Sequence, residues 1–283
     1  NWGGKPAGQN DFFIEEGGRL GEVYGYELDG FYTTDDFSWD GSKWILNENL
    51  TDPTELIKYN NFGPGSLKLK ADEDGKYTKK RLGNTVPTVT GGFGINMRYK
   101  NFDLSAFFNY SLGNKIVNAT KLGSSYYNDT KKGWNLNDNF TLAKRYSWID
   151  PSTGENMLKS SYIKSNGLDY TINRLNEINA GASMYNPGSI TEMPLLDWAV
   201  EDGSFLRVNN ISIGYTLPKG FVNKMFMQNV RIYVTGYNLY CFTKYSGADP
   251  EVDTRRSTPM TPGVDYSAYP KSRSFVGGIN VTF

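Results

Sequence analysis

Lys271-Ser-Arg-Ser-Phe-Val-Gly-Gly-Ile-Asn-Val-Thr-Phe283 decides the fold. From Phe275 the odd positions read Phe275, Gly277, Ile279, Val281 and Phe283, and the even positions Val276, Gly278, Asn280 and Thr282. Successive side chains of a strand point to opposite faces, so this strand carries one apolar face and one of small and polar residues. Lipid outside and water inside a β-barrel demand that dyad alternation. An amphipathic strand of a soluble sandwich satisfies it equally, so the rest of the chain must decide between them.

Four further segments repeat the pattern. In Thr88 to Tyr99 the residues Val89, Gly91, Phe93, Ile95, Met97 and Tyr99 share a face opposite Thr90, Gly92, Gly94, Asn96 and Arg98. After Lys100-Asn101 comes Phe102 to Leu112, with Phe102, Leu104, Ala106, Phe108, Tyr110 and Leu112 opposite Asp103, Ser105, Phe107, Asn109 and Ser111. Two alternating runs joined by two residues read as a hairpin. Phe205 to Leu217 sets Ile211, Ile213, Tyr215 and Leu217 against Asn210, Ser212, Gly214 and Thr216. Val230 to Phe242 begins with Val230, Ile232 and Val234 opposite Arg231, Tyr233 and Thr235, and its phase is ambiguous after Gly236. There Asn238 would face lipid unless a bulge shifts the register. A weaker sixth strand is expected near Gly21 to Leu28, with Tyr24, Tyr26 and Leu28 on one face.

The links between these strands alternate long and short. Residues 29–86, 113–203 and 243–270 are long, whereas the hairpins near 100 and 218–229 are short. In an antiparallel meander this puts every long connection at one end, as in outer-membrane barrels. A soluble sandwich rarely carries a link of about 90 residues. Six strands do not close a barrel, since single-chain barrels start at about 8, and hydrocarbon cannot satisfy open edges. Pairing with further strands, and so a longer protein, is expected.

Composition narrows the function classes. Among 283 residues 30 are basic and 30 acidic, which supplies no basic face for nucleic acid. Aromatics at 15% and 31 Gly favour strands over helices. The mean hydropathy is −0.54, and no run of about 18 apolar residues exists to make a spanning helix. There is no His, which removes Ser-His-Asp, Cys-His and HExxH chemistry, and Cys241 alone forms no internal disulfide. Asn1-Trp-Gly-Gly-Lys is not an apolar leader, which leaves open a removed signal or the back part of a longer chain.

At this point the residues resemble a family. Glu201-Asp-Gly-Ser-Phe-Leu-Arg-Val-Asn-Asn-Ile-Ser-Ile-Gly-Tyr-Thr-Leu-Pro218 is similar to the EDGS-(F/Y)-LR…NISLGYTLP signature of the SusC/RagA class of TonB-dependent outer-membrane transporters. Lys244-Tyr-Ser-Gly-Ala-Asp-Pro-Glu251 resembles its TKYSGxDPE loop, and Tyr269-Pro-Lys-Ser-Arg-Ser-Phe275 its YPxxRxF entry to the last strand. Tyr24-Gly-Tyr-Glu-Leu-Asp-Gly-Phe31 resembles the YGYxxDGIF segment; Gly83-Asn84, Gly91-Gly-Phe93 and Phe102-Asp-Leu104 complete the order.

The resemblance implies an all-β transmembrane antiparallel barrel, of which residues 1–283 are the last six strands of about 22 in the plugged class. These strands lie near 20–28, 88–99, 102–112, 204–217, 229–242 and 271–283, with extracellular loops 29–86, 113–203 and 243–270. It implies a bacterial outer-membrane importer of an oligosaccharide, or alternatively a peptide. Its partners would be a SusD-like surface lipoprotein as lid, the plug and remaining strands, outer-membrane lipid, and TonB through an N-terminal part absent here. Phe283 would be the terminal aromatic read by the barrel-assembly machinery. The family's PGDIKYxDxNGDG stretch, similar to a calcium loop, reads Pro64-Gly-Ser-Leu-Lys-Leu-Lys-Ala-Asp-Glu-Asp-Gly75 here, with Lys70 at the first acidic position. Asp72 and Asp74 then read as a solvated turn, no cofactor is expected, and calcium in the intact complex is the alternative.

All six Trp fall in the loops or the N-terminal tail. Trp39, Trp44, Trp134, Trp148 and Trp198, with Tyr126 and Tyr127, are the candidate contacts to ligand or lid, because aromatic faces stack on sugars and pack on partners. Packing of the loops into a folded cap is the alternative use of the same rings. The lumen or plug face should show Asn96, Arg98, Asp103, Asn109, Arg231 and Tyr233. Tyr99, Phe102, Tyr215 and Phe283 should mark the girdle at the short-turn end, and Phe108, Tyr110, Phe205 and Phe275 should approach the other. Asp249, Glu251 and Asp253 alternate in the last long loop and would meet a cation, a partner's basic residue or water. Two other classes fit less of the chain. A soluble β-rich carbohydrate-binding or adhesin module explains the aromatics but not the loop asymmetry. A glycosidase using paired carboxylates has only common Asp and Glu clusters, such as Asp35-Asp36, to recruit, so no enzyme is expected.

Overall fold

The computed structural model describes residues 11–127, 135–254 and 260–283. The chain forms two compact units, one of Asn1–Gly18, Glu22–Leu82 and Asn118–Val200, the other of Arg19–Gly21, Gly83–Val117 and Glu201–Phe283.

The second unit is built on a five-stranded antiparallel meander. Its strands are β1 (Val89–Tyr99), β2 (Phe102–Leu112), β3 (Phe205–Thr216), β4 (Asn229–Thr243) and β5 (Ser274–Thr282), in spatial order β5-β4-β3-β2-β1. Register follows the alternation read from sequence. Tyr99, Phe102, Tyr215, Ile232 and Ile279 form one rank across all five strands, and Met97, Leu104, Ile213, Val234 and Gly277 form the next. Between them, facing the other way, runs the rank Arg98, Asp103, Gly214, Tyr233 and Gly278. The apolar face is open: Phe93, Ile95, Ile213, Val281 and Phe283 are exposed, and Ile279 shows 64% of its surface. Water does not tolerate a contiguous apolar sheet face of this extent on a monomer. Short connections join β1 to β2, where Lys100 takes φ 53°, and β3 to β4. The long connections all leave from the end of the sheet marked by Val89, Leu112, Phe205 and Thr243.

Two bulges settle the ambiguous phase after Gly236. Ladder pairing skips Asn209 against β2, and β3 meets β4 through Asn210↔Tyr237 and then Val208↔Tyr240. Asn238 sits in the left-handed region at φ 50°, which Asn tolerates, and its amide donates to the Ser272 carbonyl at 3.0 Å. The shift puts Tyr240 and Phe242 on the apolar face with Val208 and Leu206. It also turns Phe205, 5% exposed and paired with Ser111, to the polar face. Phe205 therefore does not join the outer girdle, because the expectation carried the phase of Ile211 unbroken to the strand's start.

The expected sixth strand near Gly21 to Leu28 does not join this sheet. Glu22–Gly25 pairs with Phe12–Phe13, and Leu28–Phe31 pairs with Leu67–Leu69. Glu22 and Val23 are both buried, so both faces of the segment are covered, whereas a lipid-facing strand leaves one open.

The loops of the first unit fold around two apolar clusters. One holds Tyr26, Ile57, Leu67, Leu69, Phe140, Tyr185, Ile190 and Leu196. The other holds Tyr32, Phe37, Trp44, Tyr146, Trp148, Met157, Tyr162 and Leu175. Short strands such as Phe37–Trp39 and Trp44–Leu46 pair between them, and helices Ser160–Asn166 and Leu168–Ile178 break at Gly167. Among the described residues strand outweighs helix, and no helix is long and apolar enough to cross a membrane.

Candidate functional site

Register places Asn96, Arg98, Asp103, Asn109, Arg231 and Tyr233 on the polar face of the sheet. Near the short turns Arg231 grips Asp103 with two parallel bonds, Nε to Oδ1 at 2.9 Å and Nη2 to Oδ2 at 2.5 Å. The pair spans the intervening strand at Gly214, where a Cβ would lie 2.4 Å from Arg231 Nη2 and 2.5 Å from Asp103 Oδ1. Glycine is needed there because any side chain would stand in the path of the bridge. The Arg231 guanidinium also lies 5.1 Å from the Tyr233 ring centroid. Arg98, opposite Asp103 in β1, and Asn96 are exposed. Asp103 is already matched by Arg231, so Arg98 gives this end of the face a net positive charge.

At the long-loop end the same face bears a charge cluster that the alternation alone did not reveal. Arg207, 4% exposed, donates from Nη2 to Asp249 Oδ1 at 2.5 Å, and its Nε lies 2.9 Å from Glu251 Oε2. Lys271 Nζ reaches Glu251 at 2.5 Å. A buried charge is tolerable only when paired in this way. Asp249 and Glu251 of the last long loop thus meet bases of their own chain. The signal was present as a lone Arg between Leu206 and Val208 in a strand, and as the 249–251 acidic pair, but spacing does not say that they meet. Beside the cluster Tyr245 donates to Asp265 at 2.5 Å, and burial pushes its phenol pKa up. A cleft of about 380 Å³ opens here, lined by Thr90, Asn109, Ser111, Asn114, Phe205 and Asp253. Asn109 Oδ1 is buried there without a hydrogen-bond partner among the described residues.

The loop aromatics divide into core and surface. Trp44 and Trp148 are 8% and 6% exposed and belong to an apolar cluster, and Trp148 Nε1 donates to the Pro64 carbonyl at 2.7 Å. The expectation that they present open faces to a ligand is corrected: both rings pack within the cluster, and the Trp148 N–H is bonded to the backbone. Trp39 is half-buried, edge-on to Trp44 at 5.5 Å. Trp198 is half-buried under the Lys121 ammonium, 4.7 Å from its ring. Tyr126 is half-buried against the first cluster, and Tyr127 is exposed. Trp134 lies outside the described residues. One cleft of about 410 Å³ in this unit collects Tyr127, Arg145, Trp148, Ile149, Asn186 and Pro187 on its walls. An exposed phenol, a guanidinium without an ion pair among the described residues and an amide around apolar walls form a site of the size and mixture that holds small polar ligands. Arg145 and Asn186 were missed from sequence, since isolated polar loop residues carry no periodic signal.

Asp72 lies in a hydrogen-bonded turn. Its Oδ1 accepts from the backbone N–H of Asp74 and Lys76 at 3.1 and 2.8 Å, closing a turn on Gly75. Among the described residues no group of acidic or sulfur ligands converges on a metal position.

No family model matches the chain. It is 31% identical over 282 residues to the TonB-dependent receptor P3 of Formosa agariphila, covering 95% of this chain and 23% of that protein. It is 23% identical over 285 residues to the TonB-dependent receptor SusC of Bacteroides thetaiotaomicron, covering 97% of this chain and 22% of that protein. A chain in the structure of the RagAB peptide importer in its 'closed-closed' state superposes with a TM-score of 0.49 at 20% identity, over 96% of this chain and 25% of that one. The chain spans about a quarter of the length of the curated relatives it matches. Along nearly its whole length, then, this chain is similar to a stretch of TonB-dependent receptors, SusC among them.

Proposed function

We propose that this chain forms part of the wall and the surface loops of an outer-membrane TonB-dependent transporter that imports a nutrient oligomer, an oligosaccharide in preference to a peptide, under a SusD-like lipoprotein lid. The observation that carries the reading is the sheet itself: one exposed apolar face, one hydrogen-bonded polar face, and every long connection at one end. Hydrocarbon outside and a hydrated lumen inside account for both faces at once. The remaining strands, the plug and the TonB-contacting segment belong to the rest of a longer protein. The plug would meet the Arg98, Asp103, Arg231 and Tyr233 end, where Arg98 is exposed and has no ion pair among the described residues. Ligand or lid would meet the loop unit through Tyr127, Trp39 and Trp198, with Arg145 and Asn186 in the cleft beside Tyr127. The chain performs no chemistry on its cargo.

Calorimetry on the full-length transporter with its lid tests the cargo. Oligosaccharides should bind, and Tyr127→Ala with Arg145→Ala should weaken that binding about tenfold or more, as loss of one stacking ring and one charged contact does. Peptide binding without any glycan binding would overturn the preference for sugar. Extraction of the chain's parent protein into buffer without detergent would instead favour a soluble binding module.

A further inference from the structure

We propose that the Pro218–Gln228 turn between β3 and β4 is an interfacial anchor, laying Phe221, Met225 and Phe226 into the phospholipid leaflet at the short-turn end of the sheet. The inference rests on the membrane reading above.

A hairpin needs little to reverse direction; β1 and β2 manage it with Lys100 and Asn101. Pro218-Lys-Gly-Phe-Val-Asn-Lys-Met-Phe-Met-Gln228 is longer and folds as a helical turn, Lys219–Val222, followed by a 3-10 turn, Asn223–Met225. Only Val222 points inward, at 1% exposure. Phe221, Met225 and Phe226 are 56%, 48% and 93% exposed. Phe226 also caps the turn in the left-handed region, at φ 57°, a position usually given to Gly or Asn. A bulky aromatic in that conformation is unfavourable, and water returns nothing for displaying it.

The apolar patch continues the outward face of the sheet. The last rank before the turns is Tyr99, Phe102, Tyr215, Ile232 and Ile279, and the Gln228 N–H donates to the Thr282 carbonyl at 2.7 Å, tying the turn to the end of β5. Lys219 and Lys224 lie on the same turn, both exposed, and no Asp or Glu occurs between Leu217 and Asn229. Apolar rings flanked by exposed ammoniums match the boundary between acyl chains and phosphates, with the lysine stems reaching back to the headgroups.

The test is spin-label accessibility in the full-length transporter reconstituted into phospholipid vesicles, in a Cys241→Ser background. Nitroxides are placed by Phe226→Cys, by Ile213→Cys on the apolar face, and by Lys100→Cys on the neighbouring turn. The label at 226 should collide with lipid-soluble oxygen several-fold more than with a water-soluble nickel chelate, as at 213, and the preference should reverse at 100. A 226 label open to nickel, or shielded from both by a protein partner, beside an oxygen-exposed 213 label overturns the anchor and leaves the membrane reading standing. A 213 label open to nickel overturns both.

Discussion

Single residues decide the interior of the loop unit. Gly65 takes φ 84°, and a Cβ there would lie 2.3 Å from the Tyr146 ring. Both the backbone and the space forbid a side chain, so Gly65→Ala should destabilise the unit by about 2–4 kcal/mol, read as a lowered midpoint in denaturant. Asp150 is a second such point. It is 1% exposed and accepts from the Tyr162 hydroxyl at 2.6 Å, the Ser152 N–H at 3.0 Å and Arg174 at 3.3 Å. The Tyr162 bond first, then the Ser152 N–H and Arg174, hold its carboxyl below the usual range. A folded pKa lower than the unfolded one gives stability that is complete above about pH 4 and disappears as pH falls through the folded value. Asp150→Asn should therefore lower the melting temperature at pH 7, and the gap to the parent should close in acid below that range. A constant gap across pH would mean that the carboxylate charge is not what matters. Neither residue was singled out from sequence, because a close approach and a buried acceptor are relations between distant segments.

At the scale of elements, alternation and bulges set the two faces, and one ion-pair cluster fixes the last long loop to the sheet. Arg207 reaches its place on the polar face only because β3 slips by a residue at Asn209; without the slip it would point at lipid. Arg207→Ala leaves Asp249, 5% exposed, without its base, which costs about 3–5 kcal/mol for a buried pair broken on one side. The expected outcome is protease cutting in residues 243–270 of the folded transporter, while Arg207→Ala with Asp249→Ala recovers much of the loss. Strand positions for β1 to β5 were legible because period-two apolar runs with short polar links have few other solutions. The segment near Gly21 to Leu28 was misread for the same reason in reverse: Tyr24, Tyr26 and Leu28 alternate by chance in a segment covered on both sides.

For the whole molecule, adjacent positions of one strand should behave as if in different solvents. Ile95 points to the open apolar face and Asn96 to the polar one, in the middle of β1. Lysine on the lipid side of a barrel near mid-membrane costs about 2–4 kcal/mol, and on the lumen side almost nothing. Ile95→Lys in the full-length protein should reduce outer-membrane assembly, seen as lost heat-modifiable band, whereas Asn96→Lys should assemble normally. Equal tolerance of both would sink the membrane reading.

The sequence by itself determined the faces of the strands, their order along the meander, the asymmetry of the connections and the likeness to SusC, because each is local or periodic information. Tertiary structure decided which aromatics are core and which are surface, since Trp44, Trp148 and Tyr127 look alike until the loops fold and hydrophobic burial sorts them. It also decided that Arg207 meets Asp249 and that Gly214 lies beneath the Arg231–Asp103 bridge. Such pairings depend on register and loop closure over long separations, and spacing along a chain does not encode them.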